Sequence, residues 1–90
     1  MEDTIRGPVV TIFNEDTFAM DVIHVGTNNK HEYAEEEIVY IYSINAPRVR
    51  ALMGQRSKRL LERKLKGKEV RCWVRGRDSY RRIIAEVEVL

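Results

Sequence analysis

The order of sequence patterns predicts a mainly β domain with one helix, its elements running β-β-β-α-β-β. Three observations lead there. Several short runs are rich in β-branched and aromatic residues or alternate apolar with polar, the period of a half-buried strand. The stretch after Pro47 changes to helical spacing and to Leu, Arg and Lys. Clusters of Gly, Asn, Asp and Pro separate the runs, and these residues favour turns.

Residues 1–8 read as a flexible N-terminus and residues 9–90 as a single domain. Pro8 precedes "VVTIF" (Val9–Phe13), whose β-branching favours a first strand. "NED" (Asn14–Asp16) is a turn. "TFAMDVIHV" (Thr17–Val25) alternates loosely and forms the second strand. "GTNNKHEYAEEE" (Gly26–Glu37) is a polar loop, and the third strand begins in its acidic end. "IVYIYSI" (Ile38–Ile44) is that third strand. Being apolar on both parities, it is expected to be covered on both faces.

The helical segment is "VRALMGQRSKRLLERKLKG" (Val49–Gly67). Met53, Ser57, Leu60, Leu61 and Leu65 lie near helical spacing, so one stripe faces a core. Gly54 is a poor interior residue and sets the expected start, and Gly67 is a natural stop. Glu62 and Lys66 are placed for an i,i+4 ion pair. "KEVRCWVR" (Lys68–Arg75) puts Val70, Cys72 and Val74 on one parity and Arg71, Trp73 and Arg75 on the other. "RIIAEVEVL" (Arg82–Leu90) opposes Ile83, Ala85, Val87 and Val89 to Arg82, Ile84, Glu86 and Glu88. "GRDSYR" (Gly76–Arg81) is the hairpin loop between these last two strands. Five short strands with a helix between the third and fourth is the arrangement of an OB-type barrel.

Composition narrows the function classes. The chain has 90 residues and 43% hydrophobic content, which fits one globular domain and argues against a disordered chain. Cys72 is the only cysteine, so neither an intramolecular disulfide nor a thiolate metal cluster forms within one chain. His24 and His31 stand in unlike contexts with no cysteine nearby, which argues against zinc. Ser43, Ser57 and Ser79 lie in no nucleophile motif. The start "MEDTIRGP" lacks a basic flank and a long apolar run, and no segment reaches membrane-span length. A cytoplasmic protein is expected.

Net charge is +2, but the halves differ. Residues 1–45 hold two Lys/Arg against nine acids, and residues 46–90 hold fourteen against five. Such asymmetry suggests a basic face for a polyanion, or pairing of opposite halves within or between copies.

Three stretches resemble the staphylococcal-nuclease-like (thermonuclease) family, an OB-fold subclass. "FNEDT" (Phe13–Thr17) is similar to its DGDT turn. "YIYSINAPR" (Tyr40–Arg48) is similar to its RLxGIDAPE stretch. "GQRSKRLLERKLKGKEVRCWVRGRDSYRR" (Gly54–Arg82) is similar to its helix, fourth strand and following loop. The family's helices after the fifth strand have no counterpart. The resemblance implies Ca²⁺-dependent phosphodiester hydrolysis, with carboxylates holding the cation and two arginines bracing the phosphate.

The residues carry this over unevenly. Asp16 matches the first metal ligand, although a turn residue before Thr17 needs no other role. Asn45 stands where the second ligand aspartate belongs, keeping an oxygen and losing the charge, so Ca²⁺ would bind weakly. Arg48 replaces the glutamate base and cannot accept a proton. Tyr40 replaces the first phosphate-clamping arginine. Arg82 matches the second, and Arg81 replaces the usual glycine before it. Losing a base costs about 10²–10⁴ in rate and losing one electrostatic contact about 10²–10³. The expected function is therefore a catalytically impaired homologue that binds single-stranded DNA or RNA through a basic face. Its candidate residues are Arg56, Lys58, Arg59 and Arg63 on the helix and Arg71, Trp73 and Arg75 on the fourth strand. A weak metal-dependent nuclease and a protein-interaction module, self-associating through its opposite charges, are the alternatives.

Overall fold

The computed structural model describes residues 2–45 and 58–90, without the side chains of Ser43, Ile44, Asn45 and Leu60. Its elements are β1 (Asp3–Ile12), β2 (Thr17–Asp21), β3 (His24–Val25), β4 (Glu36–Asn45), α1 (Lys58–Leu65), β5 (Glu69–Arg77) and β6 (Ile83–Val89). The sheet order is β2-β4-β6-β5-β1-β3, and β1 also pairs with β2. That last pairing closes β1, β2, β4, β6 and β5 into a five-stranded barrel of OB type. All neighbours are antiparallel except β4 and β6.

The first strand starts well before Val9. Asp3–Ile12 is continuous, and its residues 3–8 pair with β5 from Asp3 opposite Val74 to Pro8 opposite Glu69. Residues 3–8 are therefore barrel wall rather than a flexible N-terminus. Ile5 supplies the reason, since it is buried in the core where a frayed segment would leave it wet. Pro8 is tolerated although the strand is internal, and it faces Glu69 at the end of that pairing.

The expected second strand is broken in two. Val9 pairs with Met20 and Arg6 with His24, so four steps on one strand match three on β1. The extra residue falls opposite Gly7, where a Cβ would collide with the Asp21 carbonyl oxygen. Glycine thus permits the close approach that bends the strand around the barrel. A second shift between Val9 and Thr11 returns Ile12 to the interior after an exposed Thr11.

Inward side chains fill one core: Ile5, Val9, Phe18, Met20, Val39, Ile41, Val70, Cys72, Ile83, Ala85 and Val87, with Leu61 and Leu65 from α1. The alternation expected for β5 and β6 matches the burial of Val70, Cys72, Ile83, Ala85 and Val87. Burial pushes the Cys72 thiol up to about 12, so it is a neutral core group. In α1 the buried Leu61 and Leu65 are one helical turn apart. The helix stops at Gly67, whose φ of 78° is the left-handed conformation glycine adopts freely. The Gly67 N–H donates to the Val9 carbonyl at 2.9 Å and the Val9 N–H to the Lys68 carbonyl at 2.9 Å, which fastens the helix end to β1. The expected Glu62–Lys66 ion pair does not form; only their backbones bond, at 3.3 Å. Gly54 and the predicted helix start, with Met53 and Ser57, lie outside the described residues.

The 26–35 loop is clipped to β1. Asn29 exchanges two 2.8 Å bonds with the Thr4 backbone. The buried Asp3 carboxylate accepts from the Lys30 and His31 N–H groups, meets the His31 ring, and accepts from the Tyr33 hydroxyl at 2.7 Å. Glu37 accepts from Ala34 N–H and takes both guanidinium nitrogens of Arg77 at 3.0 and 3.2 Å. Among the described residues no helix is long and apolar enough to cross a membrane.

Candidate nucleic-acid interface

Two loops meet at one end of the barrel, the β1–β2 turn and the β5–β6 hairpin. In the first, the Phe13 N–H donates to the Thr17 carbonyl at 2.9 Å, and Asn14 Oδ1 accepts from the Asp16 N–H at 3.0 Å. The turn leaves Phe13 exposed and Thr17 buried. In the second, Asp78 organises the backbone. Its carboxylate accepts from the N–H groups of Tyr80 at 2.9 Å and Arg82 at 3.0 Å, and from Arg82 Nε at 2.6 Å. Burial pushes the Asp78 pKa up, but the bonds from Arg82 and the two backbone donors outweigh it and hold the carboxyl below its usual range. Arg81 closes this turn with φ 67°. Its carbonyl accepts from Arg77 at 2.9 Å.

Arg82 joins the loops. Its Nη1 donates to Thr17 Oγ1 at 3.4 Å, and that hydroxyl donates to Asp16 Oδ1 at 3.1 Å. The guanidinium lies 5.1 Å from the Tyr40 ring centre and 5.5 Å from that of Tyr80. Asp16 also sits against β4, its carbonyl accepting from the Ile41 N–H at 2.7 Å. The fold therefore gathers Asp16, Tyr40 and Arg82, three of the five positions that the sequence resemblance singles out, around the Thr17 hydroxyl. Arg48 lies outside the described residues. Asn45 ends β4 opposite Glu88, whereas Asp16 lies beside Ile41, opposite Ala85.

The described residues do not by themselves make a Ca²⁺ site. Asp16 offers one carboxylate, already bonded to Thr17, and a guanidinium stands on the other side of that hydroxyl. Among the described residues no three His, Cys, Asp or Glu side chains group to hold a metal ion. Ca²⁺ takes six or more oxygen ligands.

The outer face of β4 is open. Ile38 and Tyr42 are exposed and Tyr40 is half-buried, so the expectation of cover on both faces is overturned. The physical reason is that, among the described residues, guanidinium groups rather than a second layer lie over the rings: Arg82 over Tyr40, and Arg75 5.0 Å from the Tyr42 ring centre. The aromatics of the two loops are exposed, 78% for Tyr80 and 47% for Phe13, and so is Tyr42 on the outer face of β4, at 59%. Sequence reasoning missed Phe13, Tyr42, Tyr80 and Arg81 as candidates. The period-two set Ile38, Tyr40, Tyr42 was visible but was masked by the apolar residues of the other parity.

The basic candidates separate into two groups. On β5, Arg71, Trp73 and Arg75 do lie on the outer parity, but the two arginines are paired. Arg71 meets Glu88 at 3.6 Å and lies over Trp73, while Arg75 meets Glu2 at 3.0 Å and Glu86 at 3.4 Å. Trp73 is half-buried between these rows, opposite Thr4 and Glu86. On α1, Lys58, Arg59 and Arg63 are exposed and enter no ion pair among the described residues. Arg56 lies outside those residues.

Comparisons of the chain with protein-family models, with curated proteins and with solved structures return no match.

Proposed function

We propose that the chain is a nucleic-acid-binding OB-type domain, a catalytically impaired relative of the thermonuclease-like family, that holds single-stranded DNA or RNA where the two loops meet. The observation that carries this reading is Tyr80, 78% exposed beside Arg81 and Arg82. An exposed ring next to cations suits a base stacked on the ring with its phosphate on the guanidinium. In OB folds generally, the face of strands 2 and 3 and the loops 1–2 and 4–5 take oligonucleotides or oligosaccharides. Here those positions are β2, β4, the 13–16 turn and the 78–82 loop. Arg81, exposed and in no ion pair among the described residues, offers a guanidinium to a phosphate that a neutral sugar would not use, with Glu15 and Asp16 of the 13–16 turn opposing it.

One observation favours residual phosphodiester hydrolysis, the Asp16–Thr17–Arg82 contact. It lacks a second carboxylate, and its arginine is held by Asp78, so binding is the stronger reading.

Fluorescence anisotropy with a labelled 20-mer of single-stranded DNA at about 50 mM salt tests the proposal. Stacking on one aromatic contributes about 1–3 kcal/mol per base. Tyr80→Ala is therefore expected to raise Kd about tenfold or more. Its ring is solvent-exposed, so the fold should be unaffected. No binding by the wild-type protein, or an unchanged Kd in the variant, overturns the reading.

A further inference from the structure

Each arginine of the barrel wall that faces acids on the sheet is matched by one: Arg6 with Glu69, Arg71 with Glu88, Arg75 with Glu2 and Glu86, and Arg77 with Glu37. The helix is different. Lys58, Arg59, Arg63, Lys66 and Lys68 are exposed and in no ion pair among the described residues, and Glu62 is the only acid among them. The neutralising partner is not hidden in residues 46–57, which contain Arg48, Arg50 and Arg56 and no acid. Over residues 46–68 the chain holds nine Lys/Arg against one Glu.

This surface is rigidly placed. Leu61 and Leu65 anchor α1 in the core, and the paired bonds between Val9 and residues 67–68 fix its end. Its described outward side chains are polar, leaving no apolar stripe for insertion into lipid. No exposed aromatic accompanies the cations, so nothing described here reads bases. The surface fits a row of phosphates and no more.

Its position matters as much as its charge. α1 leads into the start of β5, and the Tyr80–Arg82 loop follows the end of β5. Nine residues of strand separate the two places, a path along β5 of at most roughly 26 Å at about 3.3 Å per step, shortened by the irregularity between Val74 and Gly76. Resting on the reading of the loop end as a nucleic-acid interface, we infer that α1 is a second, phosphate-only contact that the same strand reaches only when it is long enough to leave the aromatic end and cross the barrel. Binding then has two parts: a short segment held by stacking, and a longer one that adds a sequence-blind, salt-sensitive term.

Anisotropy with a 5-mer and a 25-mer, each from about 50 to 200 mM salt, tests this on the wild type, on Lys58→Gln/Arg59→Gln/Arg63→Gln, and on Tyr80→Ala. Single strands lose about 0.7 in the log–log salt slope per phosphate contact removed. The triple variant is expected to bind the 25-mer with a slope shallower by about 2 and to bind the 5-mer as the wild type does. Unchanged 5-mer binding also shows that the variant is folded. Tyr80→Ala is expected to weaken both lengths. A 25-mer slope unchanged in the triple variant overturns the second contact and leaves the aromatic end standing. Equal weakening of both lengths by the triple variant shows a single site and overturns the two-part arrangement. Binding of neither length by the wild type at 50 mM overturns both readings.

Discussion

Arg81 occupies a left-handed backbone position, φ 67°, that costs a residue bearing a Cβ about 1–2 kcal/mol. The hydrogen bonds of this turn use its backbone alone: its N–H donates to Asp78 at 3.1 Å and its carbonyl accepts from Arg77. A glycine would keep both bonds and relieve the strain, offset by glycine's greater entropy when unfolded. Arg81→Gly is expected to leave stability unchanged or to raise it by up to about 1 kcal/mol in denaturant titration. The same variant should bind single strands more weakly. A matching loss of stability and binding would show that the side chain serves the fold.

At the scale of elements, α1 and the 26–35 loop are held in opposite ways. The described helix is eight residues long, a length too short to be stable alone, and Leu61 and Leu65 hold it by their burial. Leu65→Ala is expected to cost about 2–5 kcal/mol by denaturant titration, and to flatten the salt slope of long-strand binding if it loosens the helix. The loop is held by polar clips. The Lys30 N–H, then the Tyr33 hydroxyl and His31, hold the Asp3 carboxyl at about 2 against the opposing effect of burial. A carboxyl depressed in the folded state stabilises above its unfolded pKa, 3.8, and that contribution is lost as pH falls toward 2. Wild-type thermal midpoints should therefore drop between about pH 4 and 2. In Asp3→Asn, less stable at neutral pH, that part of the acid slope should be missing. An identical slope in the two proteins would place the acid sensitivity elsewhere.

For the whole molecule, the opposed charge of the two halves resolves into two uses. Glu2 and Glu37 of the acidic half neutralise Arg75 and Arg77 of the basic half, whereas Glu86 and Glu88 pair within the basic half and Glu69 meets Arg6, so little of the asymmetry is consumed by these pairs. The cations in no ion pair among the described residues include those of the helix at one end of β5 and Arg81 at the other. Barrel closure makes this partition possible. The parallel β4–β6 pair brings Tyr40 beside Ile84 and Thr17 within reach of Arg82, residues 65 positions apart in the chain.

The strands of β5 and β6, their inward parity, the buried Cys72 and the helix stop at Gly67 were legible because each rests on local period or local backbone freedom. The start of β1 was not. Residues 1–8 contain Gly and Pro and few apolar residues, and only pairing with β5 makes them a strand. The openness of the outer β4 face was equally hidden, because an apolar residue reads the same beneath a second layer or beneath an arginine. By itself, then, the sequence determined the barrel class, the helix between the last strand pair and the rest, and the inward parity of β5 and β6. The tertiary structure alone decided which arginines are paired with carboxylates and which stay exposed without one among the described residues. Charge is a property of single residues, whereas neutralisation is a distance between residues that only the closed barrel sets.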